Sequence, residues 1–73
     1  MSAWLYFLVT ERDGSPRLIV RRNGPFIELL TRDEGWIDRP SLLPRFWDPG
    51  YLEGATFEEA LAAAESIGVV MPP

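Results

Sequence analysis

Seven carboxylates offer the first place to look for chemistry: Asp33, Glu34, Asp38, Asp48, Glu53, Glu58 and Glu59. Acid–base work by a carboxylate pair needs at least one member held in a pocket that shifts its pKa. These residues fall in turns and on the first turn of an expected helix, where exposure is the rule, so no catalytic residue is assigned. A site for a hard cation needs several converging oxygens, and no loop has that spacing. The chain has no Cys and no His, and all seven cations are Arg. That removes thiolate ligands, the commonest general base and Schiff-base chemistry. The reading is of a protein that is not an enzyme and holds no metal or cofactor.

Two other sets could act through binding. Arg17 and Arg21 lie on one face of an expected strand, and with aromatic neighbours they would suit a single-stranded nucleic acid. The plainer reading is of solvated charges, with Glu28 as a cross-strand partner. A net charge of −4 also counts against phosphate. Residues 1–37 hold five Arg and five acids, so the whole imbalance resides in residues 38–73. Trp36, Phe46, Trp47 and Tyr51 cluster around a proline-rich stretch. They form either an anchor for a protein partner, where Trp and Tyr are favoured, or a satellite core beneath the loop.

The elements that must position these groups begin with six consecutive large apolar residues, at 4–9. Strands are expected over about 3–11, 17–22 and 26–32, with a short fourth over about 36–38. Residues 12–16 are dense in turn formers, and Asn23-Gly24 is a strong hairpin signal, weakened by Pro25, which cannot donate the closing hydrogen bond. With Asn23-Gly24 as the turn, Arg21 faces Phe26, Val20 faces Ile27, Ile19 faces Glu28 and Leu18 faces Leu29. One sheet face then carries Leu5, Phe7, Val9, Leu18, Val20, Ile27 and Leu29, without a charge. The other carries Trp4, Tyr6, Leu8, Arg17, Ile19, Arg21, Phe26, Glu28 and Leu30.

Residues 40–54 contain Pro40, Pro44, Pro49, Gly50 and Gly54, so no long regular element fits. Their apolar content argues for an ordered loop, with Asp48-Pro49-Gly50 as a tight turn. Thr56-Phe57-Glu58-Glu59 matches a capping box, opening a helix over 56–67 whose stripe is Phe57, Ala60, Leu61, Ala64 and Ile67. Gly68 is a natural stop, and residues 69–73 form an apolar tail that could add a short strand.

The stretches Gly35-Trp36-Ile37-Asp38-Arg39-Pro40-Ser41-Leu42-Leu43 and Thr56-Phe57-Glu58-Glu59-Ala60 resemble small uncharacterised bacterial proteins, many of them actinobacterial. These pair an N-terminal strand meander with a Trp-x-x-(Asp/Arg)-Pro-type segment and a short C-terminal helix opening in Thr/Ser-x-x-Glu-Ala. The resemblance covers under half of the chain. It implies the topology and a bacterial origin, and it carries no activity and no functional residue.

The fold expected for the 73 residues is a single α+β domain. It is an antiparallel meander of three to four strands with one C-terminal helix on the charge-free face. Its core would be Leu5, Phe7, Val9, Leu18, Val20, Ile27, Leu29, Phe57, Leu61, Ala64 and Ile67. That leaves Trp4, Tyr6 and Leu8 uncovered, to be closed by loop 40–54 or by another chain. The expected function is a small protein-interaction or regulatory module. It would use Trp4, Tyr6, Leu8, Arg17, Ile19, Arg21 and Phe26 of the sheet, or Trp36, Phe46, Trp47 and Tyr51 of the loop. A homodimer is its simplest form. The apolar run is too short to span a bilayer and follows no basic stretch, so a soluble cytoplasmic protein is expected.

Overall fold

The structure is a computed structural model that describes residues 4–48 and 50–72. Strands β1 (Leu5–Thr10), β2 (Pro16–Asn23), β3 (Phe26–Thr31) and β4 (Gly35–Asp38) form an antiparallel meander. A 3-10 segment, Pro40–Trp47, leads to a short β5 (Glu53–Ala55), and helix α1 (Phe57–Ser66) follows. The five strands lie in the order β4-β3-β2-β1-β5. This is the expected α+β meander with one C-terminal helix on one face, enlarged by an unforeseen fifth strand.

The β2–β3 hairpin turns one residue later than the sequence suggested. Asn23 pairs with Phe26, Arg22 with Ile27, Arg21 with Glu28 and Val20 with Leu29. Pro25 explains the displacement. A turn at Asn23-Gly24 would require an N–H at position 25, whereas a turn at Gly24-Pro25 does not. Gly24 takes φ +59° at the first central position, as a type II′ turn demands. The pairing moves by two residues, and because side chains alternate with period two, every residue keeps its face. An irregularity between Val9 and Thr10 absorbs the first turn, leaving Phe7 opposite Val20 and Leu8 opposite Ile19. At the third turn Gly35 has φ +68°, and a Cβ there would lie 3.0 Å from Pro72 Cγ.

Strand order then dictates what covers the sheet. β4 and β5 lie at opposite edges, so the chain between them must cross a face about 19 Å wide, at about 4.8 Å per strand spacing. It crosses the face of Val9, Val20 and Ile27, which also carries Arg22. The Arg39 N–H donates to the Ile27 carbonyl at 2.8 Å, and Phe46 meets Phe7 edge-on at 4.9 Å. Val9, Val20 and Ile27 are buried there. Pro49, and with it the middle of the expected Asp48-Pro49-Gly50 turn, lies outside the described residues; the Tyr51 N–H donates to the Asp48 carbonyl at 3.2 Å.

With that face occupied, α1 takes the other, opposite to expectation. Ala60, Ala63 and Ala64 pack with Ile19, Leu30 and Val69, and Tyr6, Leu8, Trp36, Ile67 and Met71 lie against this cluster. The small alanines leave room for the aromatic rings of the sheet, which decides the match by size. The stripe is accordingly rotated from the expected one: Phe57 is 45% exposed and Leu61 half-buried, while Ala63 is buried. Leu5, placed in the core by its alternation, is 63% exposed. Phe7, Leu18 and Leu29 are half-buried.

The helix start is as the sequence indicated. Glu59 N–H donates to Thr56 Oγ1 at 3.1 Å and Thr56 N–H to Glu59 Oε1 at 2.9 Å. Gly68 at φ +74° ends it, and the Val69 N–H returns to the Ala64 carbonyl at 2.9 Å. Residues 69–72 add no strand. Among the described residues no helix is long and apolar enough to cross a membrane.

Candidate docking surface

One row across the helix-bearing face sets Tyr6, Arg21, Glu28 and Asp38 side by side on β1 to β4. Arg21 donates through Nε (2.8 Å) and Nη2 (2.5 Å) to Glu28 Oε1. Only 16% of the Arg21 side chain and 26% of the Glu28 side chain are exposed. The guanidinium carbon stands 4.1 Å from the Trp4 ring centre and 4.4 Å from that of Trp36. The charge of Arg21 is therefore paired and its guanidinium stacked on aromatic rings from within the chain. Glu28 is the partner that the sequence suggested. Trp36 Nε1 is buried without a hydrogen-bond partner among the described residues.

Arg17 does not join Arg21. Ile19 separates them along β2, and Arg17 is exposed, 3.9 Å from the Glu11 carboxylate. An arginine pair for phosphate is not assembled.

The other sheet residues named from sequence divide by cover. Ile19 is 1% exposed, sealed under α1, and has no surface to offer a partner. Tyr6, Leu8 and Trp36 are half-buried against the same cluster; Tyr6 also meets Phe57 edge-on at 5.5 Å. Trp4 is half-buried and Phe26 is 63% exposed.

The loop aromatics do not form one anchor either. Trp36 belongs to the helix side, Phe46 to the opposite side beneath Arg22, at 4.8 Å. Tyr51 is half-buried with Arg45 over its ring at 5.3 Å, and Arg45 pairs with Asp48 at 3.2 Å. Trp47 alone of these points outward, at 71% exposure.

Two residues that pattern reading assigned to the core define what surface remains. Leu5 and Phe57 line a groove of about 480 Å³ with Trp4, Tyr6, Phe7, Gly54, Ala55 and Thr56. Its origin is local. β5 pairs with β1 only as far as Ala55 opposite Tyr6, and the next residue, Thr56, must leave the sheet to cap α1. Leu5 is thus left without a β5 neighbour. The capping box was readable in advance, but the strand that ends there was not.

The seven carboxylates considered first are all exposed, and no group of His, Cys, Asp or Glu among the described residues could hold a metal ion. Asp13 is perturbed. The Ser15 hydroxyl and N–H both donate to Asp13 Oδ1, at 2.6 and 2.9 Å, and hold its carboxyl below the ordinary value of 3.8. It sits in an exposed turn.

Compared with known proteins, the chain matches no family model, no curated protein and no solved structure.

Proposed function

We propose that this chain is a small protein-interaction module, docking through apolar side chains that its own packing leaves uncovered. The observation that supports this is the groove. Both faces of the sheet are covered from within the chain, yet Leu5 at 63% and Phe57 at 45% exposure still line an apolar groove together. Grouped exposed apolar residues signal a binding surface far better than scattered ones do. This relocates the expected docking surface from the sheet face to the edge where β1 outruns β5. The proposed setting is the cytoplasm of a bacterium, in line with the resemblance in the Trp36 and Thr56 segments. A nucleic-acid reading draws no support from Arg21, which Glu28 neutralises.

The test is affinity capture from the native host with wild-type chain and with Leu5→Arg as baits. A partner retained by the first and absent from the second is expected. Identical capture by both would sink the reading. Light scattering settles self-association: a mass of 8.3 kDa excludes the homodimer and leaves a different partner.

A further inference from the structure

We infer that the groove receives an extended, basic segment of another protein, laid beside β1 in line with β5. This rests on the interaction-module reading and specifies its partner. The shape follows from the ladder. β1 continues past the end of β5 by Leu5, which leaves the sheet edge open beside that residue, and an extended peptide is the occupant that fits a sheet edge. A small polar metabolite fits poorly, because such sites carry several convergent polar groups, whereas this lining is mainly apolar, its side-chain polar groups being the Thr56 and Tyr6 hydroxyls and the Trp4 indole N–H.

The charge follows from the residues around it. Residues 46–73 contain five acids and no cation. Glu53 immediately precedes the lining segment and Glu58 immediately follows it, both exposed. Glu59 holds its carboxylate on the Thr56 N–H. The nearest cations belong to β2 and are engaged: Arg21 by Glu28, and Arg22 by Phe46 and the Gly24 carbonyl. An apolar floor with an acidic rim selects a segment that alternates aliphatic or aromatic residues with Arg or Lys. A second copy of this chain is the wrong occupant, since a two-fold pairing would set the same glutamates against each other.

The test is selection from a random peptide display library on the full chain, with enriched peptides resynthesised and their affinities measured by fluorescence anisotropy. Enrichment of basic, apolar sequences is expected. Their affinity should fall about tenfold or more with Leu5→Arg, the loss of one buried aliphatic contact. Phe57→Ala should weaken them as well, and Glu53→Gln with Glu58→Gln should flatten the salt dependence. Circular dichroism melts check that each variant folds. Enrichment of acidic or neutral peptides, or no enrichment, overturns the inference. Peptides that bind Leu5→Arg undiminished also overturn it, while leaving an interaction role elsewhere on the surface intact. A dimer that Leu5→Arg converts to monomer would put a second copy in the groove instead.

Discussion

On one face of the sheet, large side chains meet small ones from the cover: Tyr6, Leu8 and Trp36 stand under Ala60, Ala63 and Ala64. On the other the sizes are reversed. Val9, Val20 and Ile27 are buried beneath a proline-interrupted segment that contributes Phe46. The covers differ in quality too. The helix buries three of its residues, whereas the 3-10 segment buries none of its own. A two-faced sheet in so small a chain is therefore closed once by a regular element that joins the core and once by a strap lying over it. Matching of volumes, more than dryness of pattern, decides which cover goes where.

The sharpest way to probe that contrast is to hollow each side in turn. Ile19→Ala under the helix and Ile27→Ala under the strap should each cost about 2–5 kcal/mol in urea unfolding, both side chains being fully buried. Hydrogen exchange should separate them, with α1 amides opening only near the global limit and those of the strap far below it. Equal protection of the two covers would erase the distinction. Inverting the sizes comes next. Ala64→Leu should overpack the helix side by about 1–3 kcal/mol, and Phe46→Ala should thin the strap by about 1–2 kcal/mol. Thr56→Ala removes the box that starts α1 and should cost about 1 kcal/mol; an unchanged melt would show that packing alone sets the helix.

The smallest effect lies at a turn that belongs to neither cover. Asp13 has its folded pKa lowered beneath 3.8, so its stabilising contribution is complete above that value and is lost as pH falls through the folded one. Asp13→Asn should therefore flatten the acid limb of the stability curve slightly while leaving both faces alone.

Much of this fold was legible because its signals are periodic. The alternation along β1, β2 and β3 sorted the residues between faces even though the pairing was two residues off, since a slip of that size preserves parity. The capping box at Thr56 and the stop at Gly68 were read directly. What could not be read depends on three-dimensional closure. Glu53-Gly54-Ala55 has no strand propensity; it becomes a strand because the crossover delivers it beside β1. The helix was assigned to the drier face because alternation reports polarity and is silent on volume. Leu5 and Phe57 were placed inside for the same reason: nothing local announces that Thr56 leaves the sheet just where Leu5 needs a neighbour. Of the proposed binding surface, the sequence exposed the aromatic content but not the edge on which it opens.

The crossover has one more consequence, in time rather than in space. The meander can zip from turn to turn through near neighbours, but β5 finds β1 only by closing the longest loop in the sheet, and holds it by a ladder of three pairs. Long closures are entropically late, so this seam should be the last stitched in folding and the first to part. The groove borders that seam. Anything bound along it would act as a clasp, joining the two ends of the chain and slowing their separation.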